Sequence, residues 1–427
     1  MRTPPPDAPA NISKKATPDL VTQVRAYRLL TPLFGGGAIP QQADEVTVVR
    51  GTEVRGHLRF WWRATRGGQA NGDLKQLKAD EDRLWGAPSD PAKRSGPSKI
   101  QVFVEPTSRG EVFQVKDGRG ESVGVGHFRS PYSYVAFPLQ QTQGTVLAKV
   151  GFTLTITYAA QDAAEVEAAL WAWETFGGLG ARTRRGFGAL QWVDQPDTPA
   201  GDLLTRVRQG LNKHVVNGTW PSNVPHLTPT MPIVVTRSYQ DSLAAWRFLF
   251  ERLKEFRQAR TKRLGRSNWP EPEAIRNLTG YRSKAHQPMP TSGKFPRAAF
   301  GLPIIFQFKR DDQREGDPRG NNTLLGETKD GQIRDRLASP LILRPLADGG
   351  AAYGLAAVLQ GVALPDRLII KYGQRLRNGR DHDQVDATLT PDEARELRGP
   401  NNQGTLLGPE TDVVQAFLTF LERNNNA

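Results

Sequence analysis

The clearest rhythm of apolar and polar positions lies at residues 151–158. Phe152, Leu154, Ile156 and Tyr158 alternate with Thr153, Thr155 and Thr157, which predicts a strand with one buried face. Directly after it, Val166, Leu170 and Trp173 recur at helical spacing and predict a helix over 162–176. Asp162 and Glu165 stand at capping-box spacing at its start. Upstream, residues 21–30 read as a strand and residues 54–66 as a helix whose stripe is Val54, Leu58, Trp61 and Trp62. Residues 86–98 read as a loop, 100–105 as a strand and 189–193 as a short strand. This order resembles βαββαβ, the ferredoxin-like unit.

The second half repeats the theme in element order, without a residue-level repeat. Residues 233–237 predict a strand. Trp246, Phe250, Leu253 and Phe256 predict a helix of about four turns from near Ser242. Residues 302–308 and 341–343 predict strands, and Val413, Phe417, Phe420 and Leu421 a closing helix. The fold class expected is α+β. The domains expected are a flexible extension over 1–19, a first domain over 20–195, a linker over 196–230 rich in Pro, Gly, Asn and Thr, and a second domain over 231–427. Within the second domain, the basic stretch 258–297 and the polar stretch 310–335 predict mobile insertions. The polar stretch has too few apolar residues to offset the entropy of ordering.

Charge changes this picture. The 427 residues carry a net charge of +13, which points to a polyanionic partner, nucleic acid first. There is no cysteine, so disulfides, thiolate metal sites and cysteine nucleophiles are excluded, and a reducing cytoplasmic setting fits. No apolar run of about 18 residues occurs, so no membrane association is expected.

Residues 177–188 combine five glycines, Gly177, Gly178, Gly180, Gly186 and Gly188, with Arg182, Thr183, Arg184, Arg185 and Phe187. Such a loop can take positive φ and lie close to a ligand, and its guanidinium groups suit phosphate. It follows a helix instead of preceding one and lacks Gly-Lys-Ser/Thr, so it is not a P-loop. Residues 185–192 partly match the RNP1 pattern, but Ala189 replaces the stacking aromatic. On the helix 54–66, Arg55, Arg59, Arg63 and Arg66 form one ridge, with His57 among them; four like charges in a row call for an anion. A second basic zone comprises Lys254, Arg257, Arg260, Lys262, Arg263 and Arg266, with Lys284, Lys294 and Arg297 following; Arg257, Arg260, Lys262 and Arg263 are its candidate RNA contacts. The six histidines form no HExxH or H-x₃-H pair, so neither metal nor cofactor is expected.

Four segments together resemble the RAMP superfamily of CRISPR-associated proteins. They are Thr31-Pro32-Leu33-Phe34-Gly35-Gly36, then Val54-Arg55-Gly56-His57-Leu58-Arg59-Phe60-Trp61-Trp62-Arg63-Ala64, then 176–188, and Ala338-Ser339-Pro340-Leu341 after Arg336. The resemblance is to RAMP subunits of type III-B (Cmr) effector complexes of antiviral defence. It implies two ferredoxin-like (RRM-like) domains and a non-catalytic role at the complex end distal to the guide 5′ tag. The partners it implies are guide RNA, target RNA and other Cmr RAMP subunits. It also implies that the glycine-rich loop 177–188 is an RNA-binding feature. Two rival functions follow from the residues. One is a metal-independent endoribonuclease that processes guide RNA with His57 as its base. The other is a scaffold that touches only protein.

Overall fold

The computed structural model describes residues 19–37, 42, 44, 46–88, 96–140, 144–195, 202–260, 266–397, 399 and 404–425. Almost all of the extension 1–19, and residues 196–201 of the expected linker, lie outside them.

The first half begins with β1 (Leu20–Leu29) and β2 (Leu33–Phe34), followed by α1 (Gly51–Arg66) and α2 (Leu74–Trp85). Then come β3 (Gln101–Val112), the small hairpin β4 (Gln114–Lys116) and β5 (Ser122–Gly124), and β6 (Val146–Ala159). It closes with α3 (Ala163–Phe176), β7 (Leu190–Trp192) and α4 (Leu203–His214). β6 is the hub. It pairs antiparallel with β3 on one side and with β1 and then β2 on the other, and β7 joins the far edge of β1. The sheet thus reads β7-β1-β6-β3, laid down in the order βαββαβ. The alternation read from sequence holds: Phe152, Leu154, Ile156 and Tyr158 are buried, and the intervening threonines are half-buried. α1 buries Val54, Leu58, Trp61 and Trp62. Each large apolar side chain so buried contributes roughly 1.5–3 kcal/mol.

The capping box expected at α3 does not form. A 3-10 turn over Ala160–Asp162 feeds the helix, and Asp162 has φ −95° and ψ 6° in place of the extended geometry a cap needs. Glu165 turns to α1 instead: it accepts from Trp62 Nε1 at 2.7 Å and pairs with Arg66 at 3.2 Å. The stretch expected to be a linker contains α4, capped by Asp202 at the Thr205 amide.

The second half holds β8 (Ile233–Tyr239), α5 (Ser242–Arg257), α6 (Glu271–Thr279), β9 (Ile304–Phe306), α7 (Arg310–Arg314), β10 (Asn322–Glu327) and β11 (Ile333–Arg334). It continues with β12 (Leu341–Asp348), β13 (Ala351–Val358), β14 (Arg367–Lys371), β15 (His382–Val385), α8 (Pro391–Glu396) and α9 (Val413–Arg423). Its antiparallel sheet has the order β12-β13-β8 and packs against α5, so the sequence βαββα is present. The residues 302–308, expected as a strand, contribute β9, which is not part of this sheet. β9 pairs with β10 in a separate sheet, β11-β10-β14-β15. Both stretches expected to be mobile supply ordered structure. Trp269 and Ile275 of the basic one are buried. β10 of the polar one lies at the centre of the second sheet with Leu324 buried. Partners distant in sequence provide the apolar contact that the polar stretch lacks on its own.

One hydrophobic core runs through both halves. Ile342, Leu346 and Leu355 of the second sheet pack into the cluster formed by Trp61, Phe152, Trp173 and Leu190. The glycine-rich loop sits at this junction. No helix among the described residues is long and apolar enough to cross a membrane.

Candidate nucleic-acid interface

The glycine-rich loop is held chiefly by the segment after β1. The Gly188 amide donates to Pro32 O at 2.9 Å and the Ala181 amide to Phe34 O at 2.8 Å. The Thr31 hydroxyl donates to Gly186 O at 2.6 Å and accepts from the Ala189 amide at 2.9 Å. These contacts explain why the Thr31–Phe34 stretch and the loop occur together in one sequence. Glu53, which sequence reasoning passed over, completes the cradle by accepting from the Gly180 amide at 2.8 Å. Acidic positions near a helix N-terminus are common, so nothing local marks it out.

Close approach is the reason for the glycines, but the approach is to the chain itself. Gly186 has φ +85°, and a Cβ there would lie 2.5 Å from Trp246 Cδ1 and Nε1 and 3.0 Å from Leu343 O. At Gly188, with φ +60°, it would lie 1.9 Å from Leu179 O. The expectation that these glycines let RNA approach the backbone is therefore corrected: Gly186 lets α5 and β12 of the second half approach it, and Gly188 lets the loop close on its own Leu179. Phe187 is corrected in the same way. It is fully buried, with ring centroids 5.1 Å from Phe34 and 4.8 Å from Trp246, and presents no face to a base.

Arg182, Thr183, Arg184 and Arg185 form the tip of the loop, and all four are partly buried, not freely exposed. Arg182 Nε donates to Val135 O at 2.9 Å. Arg184 donates to Ser339 O and lies over Phe60, 5.6 Å from its centroid. Arg185 donates to Leu341 O at 3.1 Å and Phe300 O at 3.2 Å. Carbonyl partners orient these guanidinium groups without neutralising them. Burial pushes Arg184 down to about 10. Burial, with Arg257, Arg182 and Arg184 adding repulsion, pushes Arg185 down to about 9. Each stays protonated at neutral pH, so the charge is real and uncompensated.

That charge faces a cleft of about 1160 Å³ between the halves. Its cationic lining is Arg182, Arg185, Lys254, Arg257, Arg297 and Arg336, and among the described residues no carboxylate lines it. Arg297 is neutralised by buried Glu271 at 3.0 Å. The other five make no ion pair among the described residues. Tyr134 and Phe137 add aromatic surface, with Phe137 48% exposed and the Tyr134 hydroxyl accepting from Arg257 at 3.3 Å. Cations interleaved with accessible rings suit a single strand of nucleic acid.

The ridge on α1 is not part of this cleft. Arg59 and Arg63 both bind buried Glu81 of α2, at 2.8 and 2.6 Å, and Arg66 binds Glu165. The anion that the ridge called for is supplied within the protein. Arg55 makes no ion pair among the described residues and is half-buried. His57 lies parallel to Trp173 at 6.5 Å, with Glu53 Oε1 3.9 Å from its Nε2. Of the second basic zone, Arg257 lines the cleft, Arg260 is exposed beside it in sequence, and Lys262 and Arg263 lie outside the described residues.

The pairing on α1 makes a prediction. Replacing either Arg59 or Arg63 by alanine leaves Glu81 one partner, at a cost of about 1 kcal/mol. Replacing both strands a buried carboxylate and costs about 3 kcal/mol or more. Denaturant melts of the two single variants and the double variant check this non-additivity, and the affinity for RNA is expected to stay unchanged in all three.

Among the described residues, one cluster has the spacing of a cation site: His286, Asp312 and Asp317, drawn from distant positions that no motif search would join. Arg276 already occupies it, donating to Asp317 at 3.0 and 2.7 Å. Burial pushes the Asp317 carboxyl up, but the bonds from Arg276 and the Ser283 amide outweigh it and hold the group below the usual range.

Residues 27–191 match the RAMP superfamily model. That segment, which includes α1, β6, α3 and the glycine-rich loop, is what the chain shares with the RAMP superfamily. Among known proteins it is similar to the CRISPR system Cmr subunit Cmr1-1 of Pyrococcus furiosus, 25% identical over 164 residues, 37% of this chain and 45% of that protein. The same organism's subunit Cmr1-2 is 24% identical over 177 residues, 38% of this chain and 90% of that protein. The match thus spans less than half the length of the first of these relatives. The crystal structure of Cmr1 from Pyrococcus furiosus in its apo form aligns with a TM-score of 0.49 and 15% identity, covering 85% of this chain and 94% of that one.

Proposed function

We propose that this chain is a non-catalytic, RNA-binding RAMP subunit of a type III-B (Cmr) CRISPR effector complex, working in the cytoplasm. The observation that carries the reading is the cleft between the halves, where Arg182, Arg185, Lys254, Arg257 and Arg336 converge with no carboxylate among the described residues that line it. The names of the two Pyrococcus furiosus relatives, both Cmr subunits, agree with it. In this reading both halves are variants of the ferredoxin-like unit. The first, over 20–195, has its strand order, and the second, over 231–427, shows no last strand among the described residues. The bound strand is guide or target RNA at the end distal to the guide 5′ tag, and neighbouring Cmr RAMP subunits flank the chain. Arg182 and Arg185 hold phosphates from the loop side, and Lys254 and Arg257 from the α5 side. Arg55, Arg59, Arg63 and Arg66 of α1 and the buried Phe187 have no part in it.

The endoribonuclease reading gains one observation, the carboxylate of Glu53 near His57. That carboxylate is already engaged by the Gly180 amide, and His57 is stacked against Trp173, so neither is poised towards the cleft.

One experiment separates the two. Single-stranded RNA is titrated with the full chain across a range of salt, and the RNA is afterwards run on a denaturing gel. The binding reading predicts intact RNA and a log–log salt slope between about −2 and −4, at about −0.7 per phosphate contact. A flat salt response overturns it. Metal-independent cleavage abolished by His57→Ala establishes the rival.

A further inference from the structure

Arg344 stands at the middle of β12, between Leu343 and Pro345-Leu346, in a run that is otherwise apolar. Its side chain is fully buried. A buried charge is expensive unless every donor is used and the geometry is good. The donors of Arg344 go almost wholly to the first half. Nη1 donates to Gly177 O at 2.7 Å and more weakly to Trp173 O at 3.4 Å, and Nη2 donates to Leu190 O at 2.8 Å. Nε reaches only the next carbonyl of its own strand, Pro345 O, at 3.3 Å. No carboxylate bonds to it. The carboxylate whose charge it feels, Glu174, is itself held by Arg25 at 2.9 Å and by the Tyr27 hydroxyl.

The placement of those acceptors is informative. Gly177 is the residue at which α3 ends and the glycine-rich loop begins, and Leu190 is the first residue of β7, just after the loop ends. One planar fork therefore ties together both roots of the loop. Its positive charge also meets the last carbonyls of α3, where the helix dipole is negative. The same β12 segment and the residues before it receive the tip of the loop, through Arg185 on Leu341 O and Arg184 on Ser339 O. A leucine or methionine would suit the strand better but would leave Gly177 O and Leu190 O without these donors.

We propose that Arg344 is a positioning residue for RNA binding: from the second half it clamps the two roots of the glycine-rich loop, so that Arg182 and Arg185 are aimed into the cleft before RNA arrives. The residue touches no RNA. Its effect is preorganisation, which lowers the cost of ordering the loop on binding. The proposal rests on the reading of the cleft as an RNA site.

The test joins hydrogen exchange of the RNA-free protein with RNA titrations in which stoichiometric titration fixes the active fraction, so that Kd refers to folded molecules alone. In the wild type, the amides of 178–189 are expected to be protected without RNA. In Arg344→Lys and Arg344→Met, that protection falls and Kd rises about tenfold, while the salt slope stays as in the wild type because no phosphate contact is lost. Ile370→Ala, in the separate sheet, is the structural control: it lowers the melting temperature but leaves loop exchange and Kd unchanged. The proposal is overturned by an unprotected loop in the wild type. It is equally overturned by Arg344 variants with normal exchange and normal Kd while Arg257→Ala weakens binding. If Lys254→Ala and Arg257→Ala both leave RNA affinity untouched, the RNA reading fails and so does the proposal, leaving loop exchange to show whether the clamp exists as a purely structural device.

Discussion

Gly186→Val is expected to destabilise the protein by about 3 kcal/mol or more, and to do so before any question of RNA arises. Two costs add. At φ +85° a β-branched residue is strained, and its Cβ would be driven to 2.5 Å from the indole of Trp246. Trp246 cannot yield easily. It is fully buried, its Nε1 donates to Arg185 O at 2.7 Å, and its ring packs on Phe187, Tyr132 and Phe250. The change therefore forces α5 away from the loop and opens the junction between the halves. Gly280→Ala serves as the comparison. It has φ +71° but no atom within 4 Å of the new Cβ, so it bears the conformational strain alone, about 1 kcal/mol. Thermal or denaturant unfolding of the two variants measures the difference. Equal, small losses would show that the loop is not wedged between the halves.

Replacing Lys254 and Arg257 together by alanine should weaken binding of single-stranded RNA by about two orders of magnitude or more, at roughly 1.5–3 kcal/mol for each charge-assisted contact with phosphate. The salt slope should become shallower by about 1.4 for two lost contacts on a single strand. Stability should change little. Lys254 is exposed, and Arg257 contributes only a 3.3 Å bond to Tyr134 and a position 5.4 Å from the Phe300 ring. The pattern across variants matters more than one number. The α5 pair is expected to change affinity and slope without stability, and the Arg59–Arg63 pair to change stability without affinity. Full-strength binding by the Lys254–Arg257 double variant would remove the cleft from consideration.

The contrast between these two arginine groups shows why a charge count by itself misleads. Along the sequence, the ridge on α1 is the more conspicuous feature, four arginines on a single helix face. Its partners, Glu81 on α2 and Glu165 on α3, lie 18 to 99 residues from the arginines they pair with and become visible only when the helices pack. The cations of the cleft come from the loop, from α5 and from Arg336, which are far apart in the chain and individually ordinary.

What the sequence determined by itself is what short-range physics controls. The alternation at 151–158 requires a strand with one buried face, and the spacing of Val166, Leu170 and Trp173 requires a helix, because periods of 2 and 3.6 are properties of the backbone. The tryptophans of α1 were legible as core for the same reason. The similarity to the RAMP superfamily lay in local segments and was equally legible. Tertiary structure decided everything that depends on which distant group stands opposite. The five glycines were readable as a demand for close approach, but not the identity of what approaches, which is Trp246 and β12 at Gly186 and the first half's own chain at the other four. Phe187 in an RNP1-like string was readable as an aromatic, but its burial depends on Phe34 and Trp246. The polar stretch 310–335 looked unable to order itself, and it cannot do so alone; β9 and β14 supply the ladder that holds β10 in place. Arg344 left one trace in the sequence, a charge inside an apolar strand. Its meaning as a clamp on the roots of the loop appears only when β12 is set against the end of α3, because a hydrogen bond is a statement about two places and the sequence specifies them one at a time.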